Sequence, residues 1–95
     1  MPFYVYILAS QQNGTLYIGS TDDLAKRVHQ HKIKASPDFT SKYGVDQLVW
    51  SGEFDTRDAA KSRERQLKAW KRAWKIKLIE ETNPHWRDLY EDLNK

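Results

Sequence analysis

The chain has 95 residues, no cysteine and a net charge of +3, from 16 lysines and arginines against 13 acidic residues. This length predicts a single domain over residues 1–95, and the lack of cysteine excludes disulfides, zinc–thiolate sites and thiol catalysis. Because no segment has the length of a membrane span and the first residues lack the basic start of a signal peptide, we expect a cytoplasmic protein without membrane contact.

The first twenty residues predict a β-hairpin. Residues 3–9 (FYVYILA) and 15–20 (TLYIGS) are rich in aromatic and β-branched residues, and an Asn-Gly step between them is a strong turn signal. A four-residue loop sets Tyr6 opposite Gly19, and a two-residue loop shifts the pairs without changing the faces. In either register Tyr6 and Tyr17 share one face, and we expect Gly19 to leave that face open to an approaching group.

A helix is predicted next. Ser20 and Thr21 are suitable N-cap residues, and two aspartates follow where they favour the helix dipole. The helix runs to about His31. Arg27 and His31 are four residues apart and therefore share one helix face, beside the face that packs on the sheet. Taken alone, Arg27 has the ordinary interpretation of a surface residue and His31 that of a charge favoured at a helix C-terminus.

The middle of the chain predicts a loop and a third strand. Residues 34–46 are polar and turn-rich, while residues 47–54 (QLVWSGEF) combine β-branched and aromatic residues. The resulting order is β-β-α-β-α-α, with a short acidic helix at the C-terminus. This order predicts an α/β (α+β) fold in which a three-stranded antiparallel sheet is flanked by helices.

The second long helix begins near Asp55 and places a glutamate in its apolar stripe. Seven-, three- and four-residue spacings predict four core-facing positions: Ala60, Leu67, Trp70 and Trp74. A bend is expected near residues 70–72. Glu64 falls in the same stripe, where a carboxylate is costly unless it is paired or binds a cation. An ordinary bridge to Lys68, four residues on, and a magnesium-binding role explain this position equally well.

Positive charge is concentrated between residues 57 and 77, where there are nine basic residues and two acidic ones. Such a run is more often a solvated helix surface than a binding site. The interleaved Trp70 and Trp74 favour instead a stripe that faces phosphates. The predicted nucleic-acid contacts are Lys42, Lys61, Arg65, Lys68, Lys71 and Arg72, together with the backbone at Gly19.

Six polar residues form an ordered set along the chain: Tyr6 (in Tyr4-Val5-Tyr6), Tyr17 (in Tyr17-Ile18-Gly19), Arg27, His31, Glu64 and Asn83. This set resembles the GIY-YIG nuclease superfamily over nearly the whole chain, and most closely its small stand-alone bacterial members. Tyr4 stands where the first motif of that family has glycine, which leaves the position of Tyr6 unaffected.

The resemblance implies a metal-dependent endonuclease that hydrolyses DNA, in DNA repair or recombination. By similarity, Tyr6 and Tyr17 orient or activate the attacking water, with assistance from His31. Arg27 stabilises the pentacovalent phosphate. Taken one at a time, the two tyrosines are more often explained by cross-strand packing, the commonest use of aromatic residues in strands, and only their combination with the other polar residues favours catalysis.

The resemblance also implies a metal site and a structural amide. Glu64 is implied as the ligand of one Mg²⁺ or Mn²⁺ ion. Asn83 is implied to hold the site together by hydrogen bonding, whereas the residues alone also explain it as a turn former before Pro84.

The expected partner is DNA, with RNA as an alternative substrate, and we expect a monomer or weak dimer. Because 95 residues leave no room for a separate DNA-binding domain, we expect weak intrinsic affinity or a partner protein to supply specificity. The alternative function is a non-catalytic module that keeps the fold and binds nucleic acid or a protein through its basic stripe and tryptophans.

Overall fold

The computed structural model describes residues 2–34 and 39–94 and contains a three-stranded antiparallel sheet with helices on both faces. The strands are β1 (Phe3–Ala9), β2 (Leu16–Thr21) and β3 (Gln47–Phe54). The helices are α1 (Leu24–Lys32), α2 (Phe39–Tyr43), α3 (Arg57–Ala69) and α4 (Arg72–Thr82), followed by a 3₁₀ helix (Leu89–Asn94). The predicted α+β fold and its element order are confirmed, with α2 as an additional short helix. No helix within the described ranges has both the length and the apolar character needed to cross a bilayer.

The hairpin register places the two tyrosines on one face of the sheet. The strand order is β2-β1-β3, so that β2 is an edge strand. The backbone N–H of Ser10 donates to the carbonyl oxygen of Thr15 at 3.0 Å and closes a four-residue loop. This loop pairs Tyr6 with Gly19, as the four-residue alternative predicts. Since side chains alternate along a strand, Tyr6 and Tyr17 project to the same side.

Two hydrophobic clusters lie on opposite faces of the sheet. The cluster beneath α3 and α4 contains Val5, Ile7, Ile18, Val49, Ala60, Leu67 and Ile79. The cluster beneath α1 and the 3₁₀ helix contains Tyr6, Leu8, Leu24, Val28, Val45 and Leu48. β1 contributes to both clusters, because it is the central strand and is covered on both faces. Tyr6 is therefore held by core packing on the α1 face.

α1 begins later than its predicted caps. Asp23 is the N-cap residue, and its Oδ1 accepts a hydrogen bond from the backbone N–H of Lys26 at 3.2 Å. The hydroxyl oxygen of Thr21 accepts from the N–H of Asp23 at 3.1 Å. β2 consequently extends through Thr21. Ser20 is a strand residue rather than a cap, and its hydroxyl points to another helix.

The predicted loop over residues 34–46 contains α2, and residues 35–38 lie outside the described part of the chain. The loop prediction is therefore wrong for α2, because tertiary contacts outweigh a polar, turn-rich composition. Thr40 is buried, its carbonyl oxygen accepts from the N–H of Val45 at 2.9 Å, and its hydroxyl contacts His31.

The prediction that Trp74 faces the core is wrong. α3 ends at Ala69, and Trp70 has an extended backbone with ψ of 150° before α4 begins at Arg72. The bend lies where it was expected, but it resets the helical phase, so the residue spacing of α3 does not continue into α4. Trp74 is 52% exposed, and Ile79 is the buried residue of α4 instead.

Candidate active site

Three aromatic rings from three elements meet on the α1 face of the sheet. Tyr6 comes from β1, Tyr17 from β2 and His31 from the last turn of α1. The ring centroids are 6.3 Å apart for the two tyrosines, 6.0 Å for Tyr6 and His31, and 5.4 Å for Tyr17 and His31. The hairpin register causes this convergence, because it directs both tyrosines toward the helix that carries His31. We call these three residues the ring cluster.

A buried chain of hydrogen bonds orients the His31 ring. Tyr6 Oη lies 3.2 Å from His31 Nε2, and His31 Nδ1 lies 2.8 Å from Thr40 Oγ1. All three side chains are at most 6% exposed. Engaging both ring nitrogens fixes the plane of the imidazole. Thr40 is a site residue that the sequence does not reveal, since it lies in a polar segment without a motif and meets His31 only in the folded chain.

Gly19 admits the Tyr6 side chain into the ring cluster. A Cβ atom at Gly19 would lie 2.6 Å from Tyr6 Oη and 3.1 Å from Tyr17 Cε2. Only glycine therefore permits this approach of the Tyr6 ring to β2. The expectation that Gly19 leaves its face open is wrong, because Tyr6 occupies that space and Gly19 is buried.

Burial keeps Tyr6 a neutral phenol. It raises the pKa of Tyr6 to about 12, from 10.0 for an exposed tyrosine, although a hydrogen bond with Arg27 acts to lower it. The unfolded chain releases this proton near pH 10.0, whereas the folded chain retains it to about 12. Below pH 10.0 both states hold the Tyr6 proton, so this group gives stability no dependence on pH there. Between the two pKa values only the folded state holds the proton, and we expect the free energy of unfolding to fall as pH rises.

Urea denaturation of the wild type and Tyr6→Phe at about pH 8 and about pH 11 measures this effect. The wild type should lose up to about 1.4 kcal/mol more than the variant over this interval, since one pKa unit corresponds to that free energy. Equal losses in both proteins would contradict the raised pKa of Tyr6.

Arg27 lies at the exposed edge of the ring cluster, one helical turn before His31. A hydrogen bond with Tyr6 raises the pKa of Arg27 further above its already high ordinary value. Its Nη1 also donates to Gln30 Oε1 at 3.4 Å. Arg27 is thus a permanent positive charge that is linked to Tyr6 and remains accessible to a ligand from solvent.

Glu64 reaches β2 from α3, on the opposite face of the sheet. Ser20 Oγ donates to its Oε1 at 2.6 Å, and Lys68 Nζ donates to its Oε2 at 2.7 Å. Lys61 Nζ lies 3.7 Å from Oε1. Burial acts to raise the pKa of this carboxyl group, but the hydrogen bonds from Lys68 and Ser20 outweigh it and lower the pKa below its ordinary value. Glu64 is therefore an ionised carboxylate that is tied to the strand carrying Tyr17.

A groove of about 300 Å³ lies between α1 and α3 at the end of β2. Its lining includes Ser20 of β2, Arg27 of α1, and Arg57 and Lys61 of α3. The lining also includes the carboxylate of Asp22, and the excess of three cations over one carboxylate favours an anionic ligand. Ser20 lines the groove and also binds Glu64, so the Glu64 carboxylate and the exposed side of Arg27 lie at the same edge of the sheet.

Comparison with known proteins gives this arrangement a family. The family model described as the GIY-YIG catalytic domain matches residues 2–77, which include the ring cluster, Arg27 and Glu64. The chain belongs to the GIY-YIG family. The resemblance to this nuclease family, predicted from the ordered polar residues, is thereby confirmed.

Small UPF0213 proteins are similar to this GIY-YIG chain along most of its length. A UPF0213 protein of Staphylococcus saprophyticus is 36% identical over 78 residues, which are 82% of this chain and 94% of the relative. One of Haloquadratum walsbyi is 40% identical over 78 residues, which are 82% of this chain and 86% of the relative. The solution NMR structure of UPF0213 protein BH0048 from Bacillus halodurans has 27% identity and a TM-score of 0.57, and the match covers 93% of each chain. The names of these relatives state no substrate.

One carboxylate, that of Glu64, has the chemistry to bind a hard cation at this site. Among residues 2–34 and 39–94, no group of three or more His, Cys, Asp or Glu side chains could hold a metal ion. Magnesium is nevertheless commonly bound through one or two carboxylates together with waters and substrate phosphates. Glu64 is the carboxylate with the chemistry for this role, with the Ser20 hydroxyl as a neighbouring oxygen, and a metal ion would displace the Lys68 ammonium that now binds this carboxylate.

Asn83 lies at the C-terminal end of α4 and is buried. Its Nδ2 donates to the carbonyl oxygens of Val49 at 3.2 Å and Arg87 at 2.8 Å, and its Oδ1 accepts from the N–H of Arg87 at 3.0 Å. These bonds join α4 to β3 and to the turn that follows. They show a structural function for Asn83 on the α4 side of the sheet.

Asn83→Ala should destabilise the fold by about 2–4 kcal/mol, because it removes three hydrogen bonds to backbone groups and leaves those groups without this partner. Urea denaturation measures the loss. Gln12→Ala, which removes an exposed amide from the hairpin loop, is the control and should change stability by less than about 0.5 kcal/mol. Equal stability of the Asn83 variant and the control would contradict this structural function.

The predicted basic contacts are all exposed: Lys42, Lys61, Arg65, Lys68, Lys71 and Arg72. Three of them have hydrogen-bond or ion-pair partners in the described part of the chain. Arg72 Nη2 donates to the carbonyl oxygens of Asn13 at 2.7 Å and Gly14 at 2.6 Å, which fastens the start of α4 to the hairpin turn. Lys61 and Lys68 accompany Glu64. Nucleic-acid binding by the six residues stays a prediction.

Proposed function

We propose that this GIY-YIG protein is a metal-dependent endonuclease that hydrolyses phosphodiester bonds in DNA and acts in DNA repair or recombination. The observation that supports it most is the placement of the ring cluster with Arg27 on one face of β2 and of Glu64, bound by Ser20, on the other. Phosphodiester hydrolysis needs a positioned water, a cation beside the phosphate and stabilisation of the leaving oxygen. The residues at this edge of the sheet supply each of these requirements.

Arg27 stabilises the phosphate. The oxygen of water forms a bond to phosphorus and gives up a proton to solvent, and the bond from phosphorus to one sugar oxygen breaks, after which that oxygen takes up a proton from solvent. Negative charge grows on the phosphate oxygens between these events. A guanidinium group can donate two parallel hydrogen bonds to such oxygens. Arg27 is exposed, permanently charged and part of the groove lining, so its free donors can reach a bound phosphate.

Tyr17 positions the attacking water. It is half-buried, whereas Tyr6 and His31 are buried, so Tyr17 is the part of the ring cluster that solvent reaches most readily. Tyr6 stays protonated because burial raises its pKa to about 12, and it orients His31 instead of removing a proton. The three rings therefore have different functions: Tyr17 contacts the attacking water, and the buried Tyr6 and His31 support Tyr17.

Glu64 holds the divalent cation, Mg²⁺ or Mn²⁺. When bound, this ion neutralises phosphate charge and stabilises the leaving oxygen. The lowered pKa of Glu64 keeps the carboxylate ionised at neutral pH and available as a ligand. Lys68 forms a salt bridge with the same carboxylate. Because an exposed salt bridge contributes little stability, a metal ion can replace the lysine ammonium at this carboxylate.

The alternative is a non-catalytic module that binds nucleic acid or a partner protein. The Lys68 and Ser20 bonds favour it, because they give Glu64 a structural function that needs no metal. The basic stripe of α3 and α4 would serve either function. Cleavage separates the two, since a binding module holds its ligand without cutting it.

The test is cleavage of a panel of end-labelled substrates: duplex, flap, branched and single-stranded DNA, and single-stranded RNA. Each is incubated with the wild type in Mg²⁺, Mn²⁺ or EDTA. We expect cutting of at least one DNA in the presence of metal and none in EDTA. Binding of the panel without cutting in either metal would contradict the endonuclease and favour the binding module.

A further inference from the structure

An aromatic surface lies at the junction of α3 and α4, outside the ring cluster. Trp70 and Trp74 form an edge-to-face pair with centroids 6.0 Å apart and an interplanar angle of 85°. Trp70 is half-buried and packs against the core, whereas Trp74 is 52% exposed. Trp70 supports Trp74 on one side, and the exposed part of the Trp74 ring is open to a ligand. We call this pair the tryptophan platform.

The tryptophan platform is surrounded by positive charge. Arg63 Cζ lies 5.0 Å from the ring centroid of Trp70, and Lys71 Nζ lies 5.8 Å from that of Trp74. Residues 65–79 contain six lysines and arginines and no acidic residue. A flat aromatic surface in such surroundings is complementary to a ligand that has flat apolar faces and negative charge. A nucleic-acid strand has both properties.

The tryptophan platform begins at the C-terminal end of α3, the helix that carries Glu64. Ala69, the last residue of α3, follows Glu64 by five residues, which corresponds to about 7.5 Å along the helix axis, and Trp70 comes directly after it. That rise matches about two or three bases of a stacked strand, at about 3.4 Å for each base. Arg72 binds the hairpin turn and fastens the start of α4, beside the end of α3, to the hairpin that carries Tyr17. A strand that follows α3 from Glu64 to its C-terminal end therefore arrives at the tryptophan platform.

We propose that Trp74, supported by Trp70, stacks on an unpaired base of a nucleic-acid strand bound at the Glu64 and Arg27 site. This inference rests on the proposed function and names its substrate class, which is nucleic acid with unpaired nucleotides beside the cut. In a duplex, the base pairs stacked above and below cover both faces of each base. An unpaired base offers a free face to an aromatic side chain.

The experiment measures fluorescence anisotropy in EDTA, where binding is separated from cleavage. The ligands are a labelled single-stranded DNA, the blunt duplex of the same sequence and the matching single-stranded RNA. Trp74→Ala should weaken binding of the unpaired strands roughly five- to hundred-fold, the range for loss of one base stack. Binding of the blunt duplex should be unchanged. Comparing the affinities for single-stranded DNA and single-stranded RNA shows whether the protein prefers deoxyribose or ribose.

Two further variants make the result specific. Trp74→Phe keeps an aromatic face and should retain most of the affinity for single strands. Ile33→Ala removes another exposed apolar side chain, which is 60% exposed after α1, and should leave all ligands unaffected. Equal weakening of single strands and duplex by Trp74→Ala, or no weakening of either, would overturn the proposal, and in the second case the surface would suit a protein partner instead.

Failure of this inference is distinguishable from failure of the proposed function. Metal-dependent cutting by the wild type together with normal single-strand binding by Trp74→Ala overturns the tryptophan platform and leaves the endonuclease intact. Trp74-dependent binding without cutting in Mg²⁺ or Mn²⁺ supports the platform and contradicts the endonuclease.

Discussion

Replacing Glu64 with glutamine should reduce DNA cleavage by about a thousand-fold or more while leaving DNA binding intact. Such a factor corresponds to about 4 kcal/mol of lost transition-state stabilisation, which is within the contribution of a metal ion. Glutamine keeps the length of the side chain and can still accept the hydrogen bond from Ser20. It removes the charge that would hold a divalent cation. The fold should therefore remain, and the chemistry should not.

Single-turnover cleavage and anisotropy measure the two properties of the Glu64 variant separately. Glu81→Gln is the matched control, because Glu81 is an exposed glutamate on α4. The control should cut at the wild-type rate. If Glu64→Gln cut DNA at the wild-type rate, the proposed metal site would be contradicted. The function of Glu64 would then be the salt bridge to Lys68.

Arg27→Ala should slow cleavage by about a hundred- to a thousand-fold, the range found when one donor to a developing oxyanion is removed. The effect should appear in the rate at saturating DNA, because Arg27 acts on charge that develops during the reaction. Stability should change little, since Arg27 is exposed, its hydrogen bond to Gln30 lies at the helix surface, and Tyr6 keeps its hydrogen bond with His31 when Arg27 is removed.

Two neighbouring variants sharpen the test of Arg27. Lys26→Ala removes an exposed cation from the same turn of α1 and should affect the rate far less. Arg27→Lys keeps the charge but not the planar pair of donors, and it should recover only part of the rate. Equal losses in Lys26→Ala and Arg27→Ala, both caused by weaker DNA binding and not by a lower rate at saturating DNA, would make Arg27 a non-specific contact to the DNA backbone.

The hairpin shows how far the sequence determines the candidate site. The position of the Asn-Gly step and the alternation of side chains predict that Tyr6 and Tyr17 share a face, and the structure has this arrangement. Helical periodicity likewise predicts that Arg27 and His31 share a side of α1. These relations are local, because they depend on residues close together in the chain, and local geometry is what residue patterns encode.

Contacts between distant segments could not be predicted. Thr40 and Ser20 are ordinary polar residues in the sequence, and each reaches its partner across the fold, Thr40 at His31 and Ser20 at Glu64. The spacing of α3 predicts a core position for Trp74, but the break after α3 resets the helical phase, and spacing alone does not give the new phase. The resemblance to the GIY-YIG family rests on the ordered residues and contains no information on these supporting contacts.

The most direct test of the proposed endonuclease is single-turnover cleavage of the end-labelled DNA panel by the wild type in Mg²⁺. The double variant Glu64→Gln/Arg27→Ala, purified in the same way, controls for a contaminating nuclease. We expect the wild type alone to cut, in Mg²⁺ and not in EDTA, while both proteins bind DNA. Equal cutting by the double variant, or no cutting of any bound substrate by the wild type, would contradict hydrolysis at this site.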